Sequence, residues 1–176
     1  MKKVKVATVW LDGCSGCHMS LLDMDAAVIS LSRKIDLVFG PLVDAQEFPE
    51  DVDVTLVEGA VSSQEDLNRL QKIRQRTNIL ISMGDCAVTG NVPAMRNSIP
   101  VQKLLQRVYI HGADEKKGVP GDHVPALLKQ ARPLREFVKV DISLPGCPPA
   151  SKTIVGVITD LLDGKKPNGN LKVKFG

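Results

Sequence analysis

The chain has 176 residues, 43% of them hydrophobic and 24% charged, with a formal net charge of +3. Those values suit a single globular domain with a sizeable core and exclude fibrous and disordered classes. Aromatic residues are 3% of the chain, with one Trp and one Tyr, so there is no stacking platform for single-stranded nucleic acid, and no apolar run approaches the ~20 residues of a membrane span.

The opening Met1-Lys2-Lys3-Val4 has neither an apolar signal region nor a twin-arginine pair, which gives the cytoplasm as the expected location. Residues 4–11 read as a buried strand, and Asp12-Gly13-Cys14-Ser15-Gly16-Cys17 as a turn. Leu21, Leu22, Ala26 and Ile29 predict a helix over 20–32. Two short strands follow, at 35–39 and 52–57, the second leading into Glu58-Gly59. Ser62 or Ser63 caps the next helix, and Asp66 gives Ser63 a capping-box partner. A fourth strand over 78–82 ends at Met83-Gly84-Asp85-Cys86. Residues 87–123 are broken by Pro93, Pro100, Gly112, Gly118 and Pro120, with one short helix near 101–107. A long irregular segment of this kind is commonly functional. A fifth strand at 137–143 precedes Leu144-Pro145-Gly146-Cys147-Pro148-Pro149, a last helix spans 151–162, and the tail begins at Pro167.

Alternating strands and helices predict an α/β fold with a parallel sheet, whose functional groups sit beyond the carboxyl ends of the strands. The four cysteines obey that rule: Cys14 and Cys17 follow the first strand, Cys86 the fourth and Cys147 the fifth. Four thiolates meeting at one edge can bind an iron-sulfur cluster or a zinc ion. Structural zinc usually takes two Cys-x-x-Cys pairs. Here only Cys14 and Cys17 form one, and the widely spaced Cys86 and Cys147 suit a bulkier cluster better. A dithiol like that of thioredoxin also fits Cys14-Ser15-Gly16-Cys17, but leaves Cys86 and Cys147 without a task.

The prolines around Cys147 make a stiff loop with few amide donors. Gly13, Gly16, Gly84, Gly90 and Gly146 serve either as turn residues or as points where backbone approaches a cluster. His18 reads as a helix-capping residue or a donor to the cluster, and His111 and His123 as surface residues. Glu58 reads as a solvated strand-end carboxylate, or as a proton relay or interface contact.

Together, Asp12-Gly13-Cys14-Ser15-Gly16-Cys17, Val57-Glu58-Gly59-Ala60, Gly84-Asp85-Cys86-Ala87-Val88-Thr89-Gly90-Asn91 and Pro145-Gly146-Cys147-Pro148-Pro149 resemble the small subunit of nickel-iron hydrogenases. The resemblance implies a flavodoxin-like doubly wound sheet over residues 1–176 as one domain. It implies one 4Fe-4S cluster on Cys14, Cys17, Cys86 and Cys147, with Gly13, Gly84, Gly146 and Pro148 beside it and Glu58 near a subunit interface. A nickel-iron centre would belong to a large-subunit partner. With no spare cysteine for further clusters, the chain is most similar to the cytoplasmic NAD-reducing type. That type implies diaphorase partners carrying FMN and further clusters. The rival is the related quinone-pathway subunit of complex I, whose first two cluster cysteines are adjacent in sequence; a zinc-binding structural protein is the more distant alternative.

Overall fold

The computed structural model describes residues 3–115 and 117–165; the tail from Pro167 lies outside them. Five parallel strands form the central sheet: β1 (Val4–Trp10), β2 (Ile35–Phe39), β3 (Val52–Glu58), β5 (Thr77–Met83) and β7 (Ile142–Leu144), in the order β2-β1-β3-β5-β7. Counting these five alone gives 2-1-3-4-5, the flavodoxin-like order. Two further strands, β4 (Val61–Ser63) and β6 (Leu127–Arg132), pair antiparallel in a small separate sheet.

Period-two alternation divides the core between the faces of the sheet. Val6, Val54, Leu56, Ile81, Met83 and Leu144 point to one face. There they meet Cys17 of α1 (Gly16–Leu22), Leu31 of α2 (Ala26–Ser32), and Ile154, Val157 and Ile158 of α7 (Ser151–Leu162). Ala7, Val9, Val57 and Leu80 point to the other, against Leu70 and Ile73 of α3 (Gln64–Gln75) and Leu134. The capping box of α3 is complete: Ser63 accepts from the Asp66 amide, and the Asp66 carboxylate accepts from the Ser63 amide.

Three expectations need correction. The helix expected over 20–32 starts at Gly16 and breaks at residues 23–25, where Asp25 takes a positive φ of 49°. The strand expected at 137–143 shrinks to Ile142–Leu144. Phe137, Val138 and Val140 still pack on the core, but from a short 3-10 turn and loop, so their apolar character marked burial rather than pairing. Residues 87–123 hold more helix than expected: α4 (Asp85–Thr89), α5 (Asn91–Ala94), a 3-10 turn (Met95–Ser98), α6 (Val101–Gln106) and a π turn (Arg107–His111). Asn97 explains part of this order: its amide bonds both the N–H and the C=O of Ala131 in β6.

The register matters most for function. Trp10 pairs with Glu58, Glu58 with Met83, and Met83 with Leu144. The last residues of four neighbouring strands therefore form one row, and the loops after β1, β3, β5 and β7 leave the sheet at one level. Among the described residues no helix is long and apolar enough to cross a membrane.

Candidate metal centre

The loop after β1 is held against the loop after β3. Asp12 and Ala60 exchange backbone hydrogen bonds, and the Leu11 amide donates to the Glu58 carbonyl. This approach requires Gly59, whose φ is +93° and where a Cβ would come within 2.7 Å of the Leu11 carbonyl carbon. Cys14 lies in the loop, exposed, and Cys17 in the first turn of α1, buried.

Ser15, which precedes helix α1, is left-handed and provides no side-chain cap. The cap comes instead from β3: Glu58 accepts from the His18 amide at 2.9 Å and lies 2.5 Å from His18 Nδ1. Glu58 is only 1% exposed. The solvated reading of Glu58 is thus replaced by a buried one. His18 is the helix-end residue that Glu58 holds, and its Nε2 is buried without a partner. His111 and His123 are exposed, as expected.

Two other loops close on this corner. Gly84 follows β5 with φ +86° and ψ 161°, and its amide donates to the Leu144 carbonyl. A Cβ on Gly84 would lie 2.2 Å from Cys17 Sγ, so the missing side chain makes the space that this thiol occupies. Asp85 ties the Cys86 and Cys147 loops together: its amide donates to the Gly146 carbonyl and its carboxylate accepts from the Gly146 amide at 2.7 Å. Ser20 of α1 donates to the Pro149 carbonyl, which fastens the third loop to the first. The Cys147–Pro148 peptide is cis.

Asp85, Ser20 and Asn91, whose Nδ2 lies 3.6 Å from Cys147 Sγ, escaped the sequence reading. Asp85 and Asn91 were legible only as neighbours of Cys86 and Gly90. Ser20 carried no signal.

The electrostatics tie the four thiols together. Burial raises the Cys17 pKa, and the charges of Glu58, Cys86, Cys14 and Cys147 raise it further. Burial likewise raises Cys86, followed by Cys147 and Cys14, with a hydrogen bond from the Val92 amide acting in the opposite direction. Cys14 receives an amide donor from Gly16 at 3.4 Å. Thiols raised in this way, those of Cys17 and Cys86, become thiolates readily only around positive charge. Among the described residues no group of three or more His, Cys, Asp or Glu closes around a single-ion position. A soft sulfur donor set, amides aimed at sulfur and a glycine cradle together fit an iron-sulfur cluster.

A family model described as the 20 kDa subunit of NADH ubiquinone oxidoreductase matches residues 14–161. The chain belongs to that family. Among its relatives, the delta subunit of the NAD-reducing hydrogenase HoxS of Cupriavidus necator is 39% identical over 93% of this chain and 80% of its own length. A subunit of the F420-non-reducing hydrogenase vhu of Methanocaldococcus jannaschii is 38% identical, and the match takes in 97% of this chain but only 60% of that relative. A crystal structure of an NAD+-reducing NiFe hydrogenase in the H2-reduced state aligns with a TM-score of 0.95 at 36% identity, covering 99% of this chain and 100% of the other. The NiFeSe hydrogenase of Desulfovibrio vulgaris Hildenborough, at 21% identity and a TM-score of 0.63, shares the fold. The sheet is thus that of the hydrogenase small subunits.

Proposed function

We propose that this chain is the electron-transfer small subunit of a cytoplasmic NAD-reducing nickel-iron hydrogenase. Its four cysteines, Cys14, Cys17, Cys86 and Cys147, ligate one 4Fe-4S cluster. Bound there, the cluster supplies a one-electron relay between a nickel-iron large subunit that oxidises H2 and a diaphorase module with flavin and further clusters that reduces NAD.

The observation that carries this reading is the in-register row Trp10–Glu58–Met83–Leu144, from which the cysteine-bearing loops rise to one corner. Gly84 leaves room at Cys17, and Gly13 lets the first loop lie against Gly59, its Cβ position 3.2 Å from the Gly59 Cα. Gly146 and Pro148 shape the third loop. Glu58 holds the first turn of α1, and with it Cys17, against the end of β3. Exposed apolar residues occur near the cysteine loops: Trp10, Met19, Leu22 and Leu42 line one cavity with His18, and Val92, Met95 and Ile99 are exposed in the segment after Cys86. Exposed apolar surface of this kind suits a relay that docks on protein partners.

The second reading, a quinone-pathway subunit, has the family description behind it. The separation of Cys14 from Cys17 and the hydrogenase relatives speak for the first. The test is H2-dependent NAD reduction by the complex purified with its co-expressed partners. Activity in the parent and its sharp loss in Cys147→Ser support the proposal. Quinone reduction without H2 oxidation, or full activity with an intact cluster in Cys147→Ser, overturns it.

A further inference from the structure

The turn between α4 and α5 reaches two cysteines that arrive from different strands. Gly90, with φ +94°, closes α4 by donating its amide to the Cys86 carbonyl at 3.0 Å. Asn91 follows with φ +29°, an uncommon value for a residue with a side chain. From there its Nδ2 extends to 3.6 Å from Cys147 Sγ, a hydrogen-bond separation for an acceptor as large as sulfur. One turn thus contacts two cysteine residues: Cys86, anchored after β5, at its carbonyl, and Cys147, anchored after β7, at its thiol through the Asn91 side chain. The amide orientation is fixed by chemistry, since Oδ1 turned toward a thiolate would meet like charge.

We infer that Asn91 is a positioning residue that sets the reduction potential of the cluster by donating a hydrogen bond to Cys147. The inference rests on the cluster reading above. A donor to a thiolate ligand stabilises whichever redox state carries more negative charge on sulfur, which is the reduced state. It therefore raises the potential, and its removal lowers it. Outer-shell donors of this kind tune a metal centre without touching it. The competing explanation is that Asn merely tolerates a left-handed backbone at this position. Glycine tolerates that backbone at least as well but offers no donor, so Asn91→Gly separates the two.

The experiment uses the intact complex in three forms: parent, Asn91→Gly and Asn91→Asp. Iron and acid-labile sulfide are measured first, and the cluster is then titrated potentiometrically and read by EPR. With metal content equal to the parent's, Asn91→Gly is expected to shift the reduced-to-oxidised ratio at fixed potential toward the oxidised form by up to tenfold, which for one electron is about 59 mV. Asn91→Asp, which replaces the donor by a carboxylate, is expected to shift it at least as far in the same direction. A potential in Asn91→Gly equal to the parent's overturns the inference. So does loss of the cluster from both variants, because the residue would then retain the cluster rather than tune it. A parent without iron and sulfide overturns the cluster reading itself, and this inference with it.

Discussion

Replacing Gly84 by alanine attacks the site at its tightest point. The backbone there, at φ +86° and ψ 161°, lies in a region essentially reserved for glycine, at a cost of about 1–3 kcal/mol for another residue. The added Cβ would also stand 2.2 Å from Cys17 Sγ. Ordinary contact needs about 3.4 Å or more, so the sulfur must retreat by about 1 Å or the end of β5 must bend away. Cys17 cannot withdraw easily, because it is buried on the face packed by Met83 and Leu144. The expected outcome is a thermal midpoint lower by roughly 2–4 °C for each kcal/mol lost, together with an iron and sulfide content well below the parent's. Gly118→Ala is the control. No atom lies within 4 Å of its added Cβ, and its stability should stay within about 0.5 kcal/mol of the parent. Parental iron content and an unchanged midpoint in Gly84→Ala would refute the claim that this glycine makes room for a ligand.

Three further outcomes follow from the same structure. Glu58→Ala leaves the His18 amide and Nδ1 without their buried acceptor and should cost about 2–4 kcal/mol, read by chemical denaturation; a loss under 1 kcal/mol would contradict the capping role. Asp141 bonds the Leu80 amide and the Arg74 guanidinium, and although burial opposes it, the balance holds its carboxyl below the usual range. A depressed carboxylate stabilises the fold above its unfolded pKa of about 3.9, and that contribution disappears as pH falls through the folded value. Asp141→Asn should therefore be less stable than the parent at pH 7 and converge on it below about pH 4; a gap independent of pH would count against this. Gly156→Ala, in the middle of α7 where an added Cβ meets nothing within 4 Å, should stabilise the fold by about 0.5–1 kcal/mol, and a lower midpoint would show that the position is packed.

The sheet was readable wherever burial on both faces leaves a run of branched apolar residues, as at Val4–Trp10 and Thr77–Met83. The reading failed where apolar residues pack without pairing, as at Phe137 and Val138, and where strands are very short, as at Val61–Ser63. Helix α7 matched its predicted bounds because its apolar spacing is clean and Asp163-Gly164 closes it. At the site, the cysteines and glycines announced themselves through spacing. Their supports did not. Ser20, Asp85, Asn91 and the Glu58–His18 contact act across the fold through sequence separations of 40 to 129 residues, and a single sequence carries no trace of such pairings. Glu58 shows this most clearly, since a carboxylate at a strand end normally faces water, and only the approach of α1 turns it into a buried cap.

The most direct measurement is the number of iron, acid-labile sulfide and zinc atoms per chain in the anaerobically purified complex with its partners' content subtracted, comparing the parent with single Ser variants at Cys14, Cys17, Cys86 and Cys147. About four iron and four sulfide are expected for this chain, as one 4Fe-4S cluster requires, with their loss or conversion in each variant. Zinc without sulfide, or full cluster content after substitution of any one of the four, would contradict the cluster reading.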